Sequence, residues 1–384
     1  MPTFFTEVFE DASPVAPLGL IALDGAKELG KRIDNFLVEW YNRDVGNKNP
    51  KFKKKSFIIE NHCPRFTTGD AKGMLEDSVR GYDVYVLVDV GNYNCTYNIF
   101  GRTNCMSPDD HYADLKRIIS AAGGKAERIT VIMPLLYGGR QHRRNSRESL
   151  DGAQMLQELY SMGVKDIITF DAHDPRIQNA VPLMGFDNFF PTYQIMKALM
   201  SQYPNLEFDD KHFMIVSPDE GAMNRNIYYA SILGVDLGMF YKRRDYTTIV
   251  NGRNPIVAHE YIGTDVKGKD VLVADDIIAT GDSVLRLCRE LKEKGCGKIF
   301  LTATYALFTE GFDKFDKAFE EGLFTSVIST NLTYNSPELL GKTWFICADL
   351  SKFISYIISA CNQNKSVSPL LNSADRIHEL LGKV

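Results

Sequence analysis

The segment Val271-Leu-Val-Ala-Asp-Asp-Ile-Ile-Ala-Thr-Gly-Asp-Ser283 holds the residues whose types and spacing speak most directly of chemistry. An apolar strand pattern ends in two carboxylates, Asp275 and Asp276. It then runs through Ile277, Ile278 and the small polar stretch Ala279, Thr280, Gly281, Asp282 and Ser283 into a helix pattern from Val284 onward. A strand–loop–helix unit aims the loop N–H groups and those of the first helical turn at one point, which makes an anion site. Thr280 and Ser283 add hydroxyl donors, and the two carboxylates can accept from vicinal hydroxyls. Phosphate donors a few residues from hydroxyl acceptors match a ribose 5-phosphate. A plain capped helix, with Thr280 or Asp282 as N-cap and solvated acids, is the simpler reading. It does not account for two acids at a strand end followed by a Thr-Gly turn. Gly263-Thr-Asp-Val-Lys-Gly-Lys-Asp270 nearly spells a P-loop, but it ends in Asp270 and precedes a strand, so Gly268–Lys269 reads as a turn.

Four further clusters follow apolar runs. Arg140, Arg143, Arg144 and Arg147 stand in Leu136–Glu148, and guanidinium groups match phosphate oxygens in pairs. A solvated basic loop is the ordinary alternative. His173, flanked by Asp171 and Asp174, could be structural, a metal ligand or a proton carrier. Asp219, in Ile215-Val-Ser-Pro-Asp-Glu-Gly221, could cap a helix or hold Mg²⁺. Lys242, Arg243 and Arg244 close a fourth run. Together these charges at strand ends suggest a polyphosphate–metal site at the carboxyl edges of sheets.

The elements that must position them alternate. Strands are expected at Val84–Val90, Ile129–Pro134, Ile167–Phe170, Phe213–Val216, Leu237–Tyr241, Val271–Ala274 and Ile299–Thr304. Helices are expected near Tyr112–Ala121, Leu150–Met162, Thr192–Met200, Ala222–Ile232 and Ser283–Glu293. Short β-branched runs alternating with helix patterns predict α/β domains with parallel sheets flanked by helices. Gly, Asn and Pro cluster at Phe186–Pro191, which marks a domain boundary there. Asn42–Lys55 and Gly91–Pro108 read as loops or insertions.

With 384 residues the chain is long enough for two domains. Its net charge of −5 lacks the basic footprint of a nucleic-acid binder. No apolar stretch is long enough to span a bilayer, and the first residues lack the pattern of a signal peptide. Seven scattered cysteines without a C-x-x-C pair fit reduced thiols and a cytoplasmic location.

The ordered set of segments resembles the ribose-phosphate pyrophosphokinase family from about Leu20 to Leu371. The matching pieces are Ser78-Val-Arg-Gly-Tyr-Asp-Val-Tyr85, Gly139-Arg-Gln141, Asn145-Ser-Arg147, Asp171-Ala-His173, Ile177-Gln178, Val216-Ser-Pro-Asp219, Lys242-Arg-Arg244 and Asp275–Ser283. The resemblance implies two tandem phosphoribosyltransferase-like domains, each a mainly parallel sheet flanked by helices. Residues 1–187 would form the ATP side and 188–348 the ribose 5-phosphate side. Residues 349–384 would be a helix and tail returning to the first domain. It implies diphosphoryl transfer from ATP to ribose 5-phosphate with Mg²⁺. Arg140, Gln141 and His173 would meet ATP, and Phe66 and Asp70 would face adenine from a neighbouring subunit of a homo-oligomer, a dimer or hexamer. His173 and Asp219 would handle the metal. Lys242, Arg244 and His173 would be catalytic. Asp275, Asp276, Ala279, Thr280, Gly281, Asp282 and Ser283 would hold the sugar phosphate. The family has Asn and Glu where this chain has Thr68 and Asp70, an acid at Ala279, and a small uncharged residue at Asp282. A non-catalytic regulatory relative and a phosphoribosyltransferase are the alternatives.

Overall fold

The computed structural model describes residues 14–144, 146–244 and 256–382, with the side chains of 242–244 and 256–259 outside that description. The chain divides into two compact units. The first comprises residues up to Phe190 with Asn331–Tyr334 and Asp349–Asn372, and the second takes the rest.

The first unit is built on β1 (Leu18–Ala22), α1 (Lys27–Tyr41), β2 (Asp83–Leu87), α2 (Pro108–Ala122), β3 (Arg128–Ile132), α3 (Asp151–Ser161), β4 (Asp166–Phe170) and β5 (Gly185–Phe189). The strands pair in chain order, all parallel. Their residues are almost wholly buried from β1 to β4, which is why they read as continuous apolar runs. Helix α2 starts where Ser107 and Asp110 form a capping box before the apolar stripe, with Pro108 at the first position.

The units part between Phe190 and Pro191, inside the expected stretch Phe186–Pro191, but most of that stretch is β5 and not a linker. It is an edge strand of sequence Gly-Phe-Asp-Asn-Phe, with only Phe189 fully buried, against Phe170 and Phe353 at ring distances of 5.9 and 5.8 Å. A strand open on one side keeps polar residues, so its composition imitates a loop. Gly91–Pro108 likewise contains a small antiparallel pair, Thr96–Ile99 with Arg102–Cys105.

The second unit holds α4 (Thr192–Gln202), β6 (Phe213–Ser217), α5 (Met223–Leu233), β7 (Asp236–Arg244), β8 (Ile256–Ile262), β9 (Asp270–Ile278), α6 (Asp282–Glu293), β10 (Ile299–Ala306), α7 (Asp313–Glu320), β11 (Ser326–Thr330) and β12 (Phe345–Ala348). The sheet order is β8-β7-β6-β9-β10-β11-β12, antiparallel only between β7 and β8. The chain builds outward from β6 to β8, then returns to place β9 on the other side of β6. That reversal leaves a crevice beyond the carboxyl ends of β6 and β9, the usual ligand position in such sheets.

Helix α8 (Ser351–Asn362) packs on α1 of the first unit, with Trp40 and Tyr356 stacked at 4.4 Å. The tail then departs from the expected return to the first domain. Helix α9 (Ala374–Leu380) packs on α4 and α5 in the second unit, burying Ile377 and placing His378 Nε2 3.1 Å from the Ile232 carbonyl. Among the described residues no helix is long and apolar enough to cross a membrane.

One polar knot joins the first sheet to α8. The buried Asp83 accepts two bonds from Arg128, at 2.7 and 2.6 Å, and one from Asn362 at 2.9 Å. Arg128 also donates to the Cys361 carbonyl at 2.9 Å. Removing the cation would strand a carboxylate with no exposed surface. Arg128→Ala should therefore cost about 3–5 kcal/mol of stability, measured by urea denaturation.

Candidate functional site

The crevice beside β6 and β9 depends on one amide. Strands β6 and β9 pair only as far as Val216 opposite Val273, whereas β9 and β10 continue to Ile278 opposite Ala306. Asn226, fully buried on the core face of α5, takes over where β6 leaves off. Its Oδ1 accepts from Ala274 N at 3.3 Å and its Nδ2 donates to Ala274 O at 2.8 Å. The same Nδ2 reaches Ala222 O at 2.8 Å and Ser217 Oγ at 3.2 Å. Both polar groups of Ala274 are thus satisfied although no β6 residue stands opposite it. Asp219 closes the turn from β6, accepting from Gly221 N at 3.0 Å and Ala222 N at 3.2 Å.

Beyond these anchors lies a cavity of about 180 Å³ lined in part by Asp219, Asp275, Ala279, Thr280, Gly281 and Ser283. Helix α6 starts there without a side-chain cap, and Gly281 sits at its N-cap with φ +90°. Gly281 at the N-cap offers no side chain to the first turn, and the contact there is a long one from Asp282 N to the Thr280 hydroxyl at 3.4 Å. Gly281 is required twice over. Its φ is left-handed, and a Cβ there would lie 2.3 Å from the Phe315 ring.

Two residues expected in the site stay out of the cavity lining. Asp276 is buried, and its Oδ1 accepts from Ile277 N at 2.9 Å. Asp282 turns outward: Oδ1 meets Lys314 Nζ at 2.7 Å, and Oδ2 accepts from the Thr280 hydroxyl at 3.1 Å. Lys314 holds the Asp282 carboxyl below its ordinary range.

Asp275 has the opposite environment. Burial raises its pKa, and the charge of Asp276 raises it further, with Asp219 adding to the repulsion. Arg225 opposes this from 3.8 Å. Acids thus crowd around Asp275, and a bound cation there would relieve their repulsion.

In the first unit, the loop after β3 folds tightly. Gly138 has φ +65°, and a Cβ there would lie 2.8 Å from Gly152 N at the start of α3. Gln141 N donates to Gly138 O at 2.8 Å, leaving Arg140 exposed. His173 follows Asp171, whose φ of +47° is a strained backbone position at the end of β4. Asp174 is committed to Arg176, with bonds at 2.9 and 2.6 Å that hold its carboxyl down to about 2. His142 escaped notice in the sequence. Its ring lies 5.5 Å from that of His173, its Nε2 is 3.4 Å from Asp174, and its buried Nδ1 has no hydrogen-bond partner. Phe66 is exposed at a tight turn closed by Phe66 N donating to Asp70 O at 2.7 Å.

His173 belongs to the first unit and Asp219 to the second. Among the described residues neither is part of a compact three-ligand cluster. Lys242 and Arg244 end β7, where Lys242 pairs with His259, but their side chains lie outside the described residues. The sequence reading also missed Asn226, Arg225, Lys314 and Phe315. Asn226 alone left a signal, as a polar residue on the apolar stripe of an amphipathic helix.

Two tests follow from this geometry. Gly281→Ala should cost about 3 kcal/mol through strain and overpacking, and Phe315→Leu in that background should recover part of it in urea denaturation. For Asp275, a raised folded pKa means the native state holds its proton longer, so stability falls as pH rises through that pKa. Asp275→Asn removes this loss. It should raise the melting temperature at about pH 9 and change little at about pH 4. About 35% of the Asp275 side chain is exposed, so water screens part of the effect.

Comparison with known proteins agrees with the two-unit architecture. A profile of the N-terminal domain of ribose phosphate pyrophosphokinase matches residues 18–163. A profile of the phosphoribosyl transferase domain matches residues 188–321. Ribose-phosphate pyrophosphokinase of Vibrio cholerae is 27% identical over 314 residues, covering 80% of this chain and 90% of its own. That of Shewanella oneidensis is 26% identical over 340 residues, covering 85% and 98%. The solved phosphoribosylpyrophosphate synthetase from Mycobacterium smegmatis aligns with a TM-score of 0.71 at 20% identity, covering 91% of this chain and 99% of its own. At that identity the structural likeness speaks for the fold. The two profiles stand in tandem, each over most of one mainly parallel sheet, and this chain belongs to the ribose-phosphate pyrophosphokinase family.

Proposed function

We propose that this chain is a ribose-phosphate diphosphokinase, which transfers the β,γ-diphosphoryl group of ATP to the C1 hydroxyl of ribose 5-phosphate. The C1 oxygen bonds to the β-phosphorus, the bond from that phosphorus to the α,β-bridging oxygen breaks, and AMP leaves. The proton of the C1 hydroxyl is lost, and phosphoribosyl pyrophosphate is the product. The observation that carries this reading is the cavity at the reversal of the second sheet, lined by the turn with Thr280 and Ser283 and by Asp275.

In that pocket the N–H groups of the Ala279–Ser283 turn, with Thr280 and Ser283, would take the 5-phosphate. Asp275 would accept from ring hydroxyls. Arg140, Gln141 and His173 would engage ATP on the first unit. Phe66 and Asp70 would reach the adenine of a neighbouring subunit, which requires at least a dimer. Lys242 and Arg244 would neutralise charge on the group in flight. Such transfers depend on positioning and on stabilising charge at the equatorial oxygens, rather than on covalent chemistry by the protein.

The donor set suits Mg²⁺, a hard cation that takes oxygen ligands. Asp219 lines the same cavity as Asp275 and raises its pKa, a repulsion that a divalent cation would relieve. Asp219 would offer it a ligand in the second unit, and His173 would offer a metal ligand in the first. When bound, it would neutralise the charge of the diphosphate. Seven free cysteines and no disulfide agree with a reducing, cytoplasmic setting.

The test is AMP formation from ATP, followed by chromatography. AMP should appear only when ribose 5-phosphate and Mg²⁺ are both present, with phosphoribosyl pyrophosphate in equal amount. Absence of AMP would leave the non-catalytic relative. Consumption of phosphoribosyl pyrophosphate with a nucleobase would point instead to a phosphoribosyltransferase.

A further inference from the structure

Asp282 sets a problem for a phosphate pocket. It is a carboxylate in the first turn of α6, where the N–H groups would receive the ligand's phosphate. Left alone it would repel a dianion, and it could bond to the same N–H groups. The structure shows how the chain meets this. Segment 307–315 buttresses the loop from outside. Leu307 N donates to Ile278 O at 2.8 Å, and Thr309 N donates to Ala279 O at 3.0 Å. Phe315 is fully buried and fills the space where a Cβ of Gly281 would stand. The preceding residue, Lys314, faces Asp282 at 2.7 Å and also donates to Glu310 at 2.6 Å.

Lys314 is thus the only cation bonded to Asp282 among the described ion pairs, and it is shared with a second carboxylate. Its side chain is 26% exposed, while that of Asp282 is 69% exposed. The carboxylate is fixed from two sides, by the Thr280 hydroxyl at 3.1 Å and by Lys314, the more buried ion-pair partner, which is tied into the buttress and is its one charged anchor among the described residues. Asp282 consequently lies outside the cavity lining, although the residues on both sides of it, Gly281 and Ser283, are inside.

We propose that Lys314 is a positioning residue for the sugar-phosphate pocket: it holds the Asp282 carboxylate on the outer side of the loop and cancels one of the two negative charges at the rim. The inference rests on the assignment of this pocket to ribose 5-phosphate. It makes the Asp282–Lys314 pair a unit, in which the acid is tolerated beside the phosphate cradle only because the lysine is present. The lysine touches no reacting atom, so its effect falls on sugar-phosphate affinity and not on the chemical step.

The experiment is steady-state kinetics of AMP formation with Lys314→Met, Asp282→Ser and the double variant, at low and high salt. Lys314→Met should raise KM for ribose 5-phosphate about threefold to fivefold, with kcat and KM for ATP little changed. The increase should shrink at high ionic strength, since exposed charges are screened. Asp282→Ser should lower KM for ribose 5-phosphate, and in that background Lys314→Met should have no further effect. A KM unmoved by Lys314→Met, or an equal loss in the Asp282→Ser background, would overturn the proposal. The second outcome would make the lysine a purely structural support. Ser283→Ala serves as the control on the pocket. If it leaves KM for ribose 5-phosphate unchanged, the pocket assignment fails, and this inference falls with it.

Discussion

A buried strand that outlasts its neighbour leaves polar groups without partners, and the second unit is organised around the repair of that defect. Past Val273, strand β9 has no β6 residue beside it, yet it must extend to Ile278 to carry Asp275 and the following turn. Asn226 supplies one donor and one acceptor to Ala274 and so replaces a strand for one residue. The divergence it permits is the crevice itself. A shorter β9 would need no such amide, but it would leave the acids and the Thr-Gly turn without a rigid base.

The turn beyond this point is held by packing and charge in separate places. Phe315 belongs to an aromatic cluster with Phe308, Phe324 and Trp344, with ring distances of 4.7, 6.1 and 5.6 Å. That cluster leaves no space for a side chain at 281. The charged groups lie outside it. Asp275 is disfavoured as a carboxylate in the isolated protein. Such a site is less stable than it could be, and ligands that bring positive charge or hydroxyl donors would recover the difference. The strained Asp171 backbone before His173 is a comparable cost in the first unit.

Much of this organisation was legible beforehand. The strands at Phe213, Val271 and Ile299 are dense β-branched runs, and the Asp275–Ser283 turn breaks that density with small and charged residues. Such local contrasts survive in one dimension. The edge strand β5 did not, because Gly-Phe-Asp-Asn-Phe has one buried anchor and otherwise the composition of a turn. Helix α8 was expected on the first domain only through the family resemblance; periodicity alone could not find its partner α1, which lies more than 300 residues earlier, as the Ser355–Ile33 bond shows. Asp174 was read with His173 as part of one acidic neighbourhood, but Arg176, two residues on, had already claimed it.

The sequence by itself determined which groups are available: two acids, a Thr-Gly turn and a helix start, followed in order by the charges at other strand ends. It could do so because strand, turn and helix each follow short-range periodicity and backbone sterics. It did not determine which way those groups face. Asp275 lines the cavity and Asp276 does not, and a register of neighbouring strands decides that. Asp282 lies outside the cavity lining, held by the Thr280 hydroxyl and by Lys314, 32 residues later. Ala274 is satisfied by an amide 48 residues earlier. Crossover connections bring these partners together, and only the folded sheet with its helices in place sets their side chains against one another.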